Sequence, residues 1–192
     1  MRKRLRRHAH RVKMIVYEET VFELTEHVWT FLGSFVGIAL IGLLSRYFFG
    51  PDDTMLLVGS FGASSVLVYG IINSPLAQPR NLIGGHVLSA LIGVTVHQLV
   101  PQEVWLAAAL AVSLSIVGMQ ITKTLHPPGG ATALIATVGS AKLQALGYWY
   151  VLMPVLSGVL ILLLVAMVVN NMTESRSYPV NKHWYRIWRR RY

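Results

Sequence analysis

Apolar runs of membrane-crossing length follow one another along this sequence, at residues 28–49, 54–73, 82–100, 104–121, 131–147 and 148–170. A helix needs about 20 mostly apolar residues to cross the hydrocarbon core of a bilayer. Backbone inside that core must also satisfy its own hydrogen bonds, which leaves helices or closed barrels. The runs have the length of helices, so the expected fold is all-α: a polytopic transmembrane bundle of five to six membrane helices. The fifth run carries Ser140, Lys142 and Gln144 and is expected to be short or re-entrant.

Charge fits this picture. Only 13% of the residues are charged, against about a quarter in soluble domains. The net charge is +9, and it is concentrated at the two ends. Seven Lys and Arg residues lie between Arg2 and Lys13, and six between Arg176 and Arg191. Basic flanks beside membrane spans mark the cytoplasmic side and attract anionic lipid headgroups. They flank apolar segments rather than forming a face of a polar domain, which argues against a nucleic-acid partner. The expected organisation is a basic cytoplasmic N-terminal tail with the start of a helix (1–27), a transmembrane domain (28–171) and a basic cytoplasmic C-terminal tail (172–192). Both termini then share one side and the number of crossings is even. The expected location is a bacterial-type plasma membrane. Trp184, Ile187 and Trp188 are spaced to lie along a membrane surface. Trp29, Tyr47, Trp105, Tyr148, Trp149 and Tyr150 sit at run ends, where interfacial aromatics are expected.

Two interruptions resemble each other. QPRNLIGGHVLSALIGV and TKTLHPPGGATALIATVG each have a proline, a nearby cation, a glycine pair and an ALI core. The units helix, break, Gly-Gly helix run in the same direction, so a parallel repeat is expected. Broken helices at matching positions of internal repeats point to solute sites in transporters. A helix N-terminus has unpaired N–H groups and a partial positive charge, which suits an anion. Glycine lets a ligand approach that backbone.

Candidate solute-binding residues follow from this reading: Arg80, Asn81, Gly84, Gly85 and His86 at the first break, and Lys123, His126, Gly129, Gly130 and Thr132 at the second. For Arg80 and Lys123 the alternative is ordinary cytoplasmic-side charge. His126 can bond the anion, change charge with pH and couple proton movement, or only cap its turn. Thr132, Ser64 and Ser65 can bond a solute or a neighbouring helix. Gly33 and Gly37, and the small residues from Gly59 to Ser65, are spaced for close helix approach. Small-residue faces also point to a homo-oligomer.

Absent residues narrow the chemistry. No Asp or Glu occurs at 54–102 or 104–173. A cation carrier normally needs an intramembrane carboxylate, so the expected solute is a small inorganic anion or a neutral molecule. There is no cysteine, so thiolate metal sites and cysteine nucleophiles are excluded. His86 and His97 lie too far apart along one helix to share a metal. No metal, no cofactor and no enzymatic activity are expected. The alternative to transport is a non-transporting membrane scaffold or sensor.

GSFGASSVLVYG, SPLAQPRNLIGGHVLSALIGV and LHPPGGATALIA, in that order along the chain, resemble the shared blocks of the HPP family of integral membrane proteins. The likeness covers residues 28 to about 171. It implies a small multi-span fold, usually given four or five helices against the six runs read here. Some members carry CBS domains, for which this chain has no room. Some are associated with nitrite transport, so the resemblance implies a small-anion transporter or channel with nitrite as the first substrate to test.

Overall fold

The computed structural model describes residues 24–180. The N-terminal basic tail and the Trp184/Ile187/Trp188 pattern lie outside the described residues. The chain folds as sequential helices: α1 (Leu24–Phe48), α2 (Pro51–Ser65), α3 (Pro79–Leu99), α4 (Val104–Thr122), α5 (Pro128–Val138), the one-turn α6 (Ala141–Gln144) and α7 (Ser157–Val169). Wider π turns extend α2 through Val66–Gly70 and lead into α7 through Val151–Leu156. No strand occurs among the described residues.

Four helical stretches are long and apolar enough to cross a membrane: Leu24–Phe48, Pro79–Leu99, Val104–Thr122 and Val151–Val169. In their most apolar windows α1 and α4 are 22% buried, and α3 and Val151–Val169 are 44% buried. The first pair is therefore peripheral and the second central. Phe31, Phe35 and Leu43 of α1, and Leu114, Val117 and Ile121 of α4, point outward. A soluble protein would not leave such a surface bare; here it is the face for lipid.

Hydrogen bonds fix the directions of the passes. Asn170 Nδ2 donates to the Val68 carbonyl at 2.9 Å, and Arg176 donates to the Tyr69 carbonyl at 2.7 Å and pairs with Glu26 at 2.9 Å. The start of α1, the end of α2 and the end of α7 thus share one end of the bundle, called here the tail end. At the far end, Asp53 accepts from the Ser140 amide and hydroxyl at 3.0 and 2.5 Å. The Thr95 and Tyr148 hydroxyls meet there at 3.0 Å. Successive passes through the bundle therefore alternate in direction, and α2–break–α3 and α4–break–α5 run in the same direction.

The fifth pass differs from its expected bounds of 131–147. α5 opens at Pro128 because proline fits the first helical position, where no intrahelical N–H is needed. It has 11 residues and so is about 16 Å long, roughly half the hydrocarbon core. Ser140 then caps α6 by accepting from the Leu143 amide. The second pass also starts at a proline, Pro51, with Asp52 and Asp53 in its first turn, where acids suit the helix dipole.

α3 and α5 form the most extensive helix pair, and they run parallel. A Cβ on Gly93 would lie 2.6 Å from the Ala133 carbonyl oxygen, and one on Gly129 would lie 2.9 Å from the Gly85 oxygen. The two backbones touch because neither position carries a side chain.

The helical domain reaches beyond 28–171. α1 begins at Leu24, and Arg176 and Tyr178 are buried in the bundle. Arg176 ties Glu26, Thr30, Tyr69 and Asn170 together. The Tyr178 hydroxyl donates to the Ala77 carbonyl at 2.7 Å. Tyr47, Trp105, Tyr148 and Trp149 are exposed near helix ends, as interfacial aromatics should be, but Tyr150 is buried at 2% exposure.

Candidate functional site

Both breaks lead to one place. The first runs from Ile71 to Gln78 and holds the single 3-10 turn Pro75–Ala77, which Ser74 caps by accepting from the Leu76 amide. The second turns at Lys123, which closes α4 in the left-handed conformation (φ 57°). Asn81 Nδ2 donates to the Leu125 carbonyl at 2.7 Å, and His126 Nδ1 lies 2.8 Å from the Leu76 carbonyl. Each break therefore holds the other.

Beside this junction lies a buried polar node. Ser64 Oγ of α2 stands between two imidazoles, 2.7 Å from His86 Nε2 and 3.0 Å from His126 Nε2. His86 Nδ1 is 2.6 Å from Thr132 Oγ1, and Thr132 Oγ1 is 2.9 Å from Ser60 Oγ. The Tyr150 hydroxyl donates to the Thr132 carbonyl at 2.9 Å. Ser64, His86 and His126 are all at 0% exposure. The His86 ring also packs on Phe61 and His126, with centroids 5.3 and 5.0 Å apart. α2, α3, α5 and the second break each contribute to the node.

Proton positions follow from donor and acceptor chemistry. A carbonyl only accepts, so His126 Nδ1 carries hydrogen toward Leu76. No carboxylate among the described residues is bonded at the node, and an unpaired buried charge is costly, so both imidazoles rest neutral. His126 Nε2 is then bare and accepts from the Ser64 hydroxyl. Ser64 in turn accepts from His86 Nε2–H. His86 Nδ1 is bare and accepts from Thr132, which accepts from Ser60. One orientation satisfies every group along the row: Ser60 to Thr132 to His86 to Ser64 to His126 to the Leu76 carbonyl.

The sequence-derived candidates divide into four sets. His86, His126 and Thr132 are joined through Ser64. Asn81 braces the junction, and Gly85 and Gly129 let α3 and α5 meet beside it. Arg80, Lys123 and Gly130 are elsewhere in role: Arg80 is exposed and caps α4 by donating to the Thr122 carbonyl at 3.1 Å, Lys123 is exposed at its turn, and Gly130 has only Val112 nearby. Gly84 faces the Thr124 side chain.

The glycine pairs do not both open helices. α3 opens at Pro79, so Gly84 and Gly85 lie in its second turn. Gly129 and Gly130 are in the first turn of α5, but their amides donate to the His126 and Pro127 carbonyls at 2.8 and 3.0 Å. Those two N–H groups are already taken. A free donor lies instead on Ser89, one turn along α3 from His86. Its buried hydroxyl has no partner among the described residues, and it faces the Gly129 backbone.

Sequence reasoning missed Ser60, Ser89 and Tyr150. Ser60 read as a small packing residue and Tyr150 as an interfacial aromatic, and nothing in the sequence set Ser89 apart. A serine donating to a bare imidazole nitrogen is also how a nucleophile is activated; here that serine is at 0% exposure.

The sequence matches the family described as "HPP, transmembrane region" over residues 19–179. The chain belongs to that family. Among its relatives are two transmembrane proteins of Dictyostelium discoideum. One is 47% identical over 161 residues, covering 82% of this chain and 51% of the relative. The other is 48% identical over 167 residues, covering 85% and 57%. The chain thus spans little more than half the length of these curated relatives. No solved structure matches. The HPP chain is an integral, multi-pass membrane protein, and the HPP tripeptide 126–128 supplies the imidazole of the second break and the proline that opens α5.

Proposed function

We propose that this HPP protein is a transporter or channel for a small inorganic anion, with nitrite the first candidate, and not an enzyme. The observation that carries the reading is the meeting of two helix breaks at one buried node of hydrogen-bond donors without a carboxylate. A broken helix pair inside a bundle is a recurring setting for a solute site. Ser89 adds an unspent donor beside the node. The occluded node is read as the closed state. Arg80 and Lys123, exposed at the tail end, are read as charges that gather anions at its mouth. Both basic ends face the cytoplasm in this reading, following the positive-inside rule.

The test is flux into proteoliposomes of nitrite, nitrate, formate and chloride. Protein-free vesicles correct for nitrous and formic acid, which cross bilayers unaided. Wild-type protein should admit at least one of these anions, nitrite included, well above the empty vesicles. The double variant Arg80→Ala/Lys123→Ala should slow entry at low ionic strength, with the deficit shrinking as salt screens the mouth. Well-folded protein that admits none of the four would fit a scaffold or sensor instead.

A further inference from the structure

The row of hydroxyls and imidazoles at the node is continuous, buried and uniformly oriented. We propose that it is a proton relay, running between Ser60 in the middle of the bundle and the break at Leu76 near the tail end. The relay goes beyond anion movement and does not depend on which solute is carried.

Each transfer balances. A proton reaching the Ser60 oxygen displaces the Ser60 hydrogen onto Thr132 Oγ1. The Thr132 hydrogen passes to His86 Nδ1, and the His86 Nε2 hydrogen passes to Ser64 Oγ. The Ser64 hydrogen then passes to His126 Nε2. Every intermediate residue gains one hydrogen and loses one, at a single oxygen in the hydroxyls and at opposite nitrogens in His86, and the charge arrives on His126 as an imidazolium. No heavy atom has to travel, because the separations along the row are 2.9, 2.6, 2.7 and 3.0 Å. His126 releases its Nδ1 proton to water when the 71–78 break admits it.

Release leaves a bare Nδ1 against the Leu76 carbonyl, two lone pairs facing each other. The resting order returns by exchange with that water once it has entered the node: it takes the hydrogen from His126 Nε2 as it gives one to Nδ1, does the same in moving the His86 hydrogen from Nδ1 back to Nε2, and the hydroxyls then turn back. Each hydroxyl also has somewhere to turn while this happens. Ser64 has the Ser60 carbonyl at 3.4 Å, and Thr132 and Ser60 have the Pro128 carbonyl at 3.4 and 3.5 Å. A row without such secondary acceptors would strand a buried hydrogen midway through the reset.

The groups around the row do not trap the charge. The two imidazoles face each other, and Tyr150 is the other titratable side chain bonded at the node, through the Thr132 carbonyl. Asp53 is engaged with Ser140 at the far end, Arg80 with Thr122, and Arg176 with Glu26, Tyr69 and Asn170.

The test uses proteoliposomes with a pH dye in the lumen and a potassium–valinomycin potential, first in sulfate and then in nitrate medium. Wild-type protein should carry protons inward in at least one medium. Thr132→Val keeps the shape and removes the hydroxyl, and it should slow proton entry about 100-fold. Thr132→Ser restores the hydroxyl and should restore the rate. Ser60→Ala, a second break in the row, should also abolish it. Proton entry through Thr132→Val at the wild-type rate would overturn the relay, as would wild-type protein that moves nitrate or nitrite but no protons. Proton entry without entry of any anion would keep the relay and remove the anion reading.

Discussion

Gly93→Leu will separate α3 from α5 and take the node apart. Even a methyl at this position would meet the Ala133 carbonyl oxygen at 2.6 Å and its Cα at 2.9 Å. Both are backbone atoms, so no side chain can swing aside. The helices must move, and the node must move with them, because His86 lies two turns before Gly93 on α3 while Thr132 is on α5. Overpacking of this kind costs about 3 kcal/mol when the neighbour cannot yield. Chemical unfolding in detergent should show that loss, with Gly93→Ala losing less. Gly42→Ala is the control. Nothing lies within 4 Å of a Cβ there, and alanine favours the helix, so stability should hold or rise by up to about 1 kcal/mol. Equal behaviour of Gly93→Leu and Gly42→Ala would mean that α3 and α5 do not touch as described.

His86→Ala should be nearly as damaging, for a different reason. The ring is fully buried, packs against Phe61 and His126, and is the partner of both Ser64 and Thr132. Its removal leaves a cavity, takes from Ser64 the N–H it accepts, and leaves Thr132 with Ser60 and a long contact to the Pro128 carbonyl, while Ser64 still donates to His126. Together these cost about 3 kcal/mol. His86→Phe separates the two contributions. It fills the volume, so stability should recover in part, yet it carries no nitrogen and the row stays cut. Solute and proton flux should therefore be lost in both variants. Flux that returns in His86→Phe would reduce His86 to a filler of space.

The architecture was largely legible in the sequence because membrane helices announce themselves by length and apolarity. The succession of helices and the common direction of the two broken units follow from the runs and from GGHVLSALIGV against GGATALIATVG. The bounds shifted where proline set them: Pro51, Pro79 and Pro128 each open a helix earlier than the apolar run begins. That shift moved Gly84 and Gly85 from a helix opening into a helix interior, where their lack of a side chain serves contact with Thr124 and His126. His86, His126 and Thr132 were legible because they stand beside those motifs. Ser60 was not, since a small polar residue looks the same whether it faces a neighbouring backbone or a buried ring. Arg176 and Tyr178 looked like part of a basic tail, because nothing local to 172–180 signals that Tyr69 and Ala77, about a hundred positions earlier, present carbonyls to them.

The central claim is that Leu76 fixes His126, and through Ser64 fixes His86, in one order of hydrogens. Nitrogen-15 NMR of histidine-labelled protein reads this directly. In the resting protein at neutral pH, His126 should carry its hydrogen on Nδ1 and His86 on Nε2, so the two rings appear as opposite neutral tautomers. Spectra of His126→Gln and His86→Gln assign each signal. Two rings in the same tautomer, or either ring as an imidazolium at neutral pH, would contradict the account.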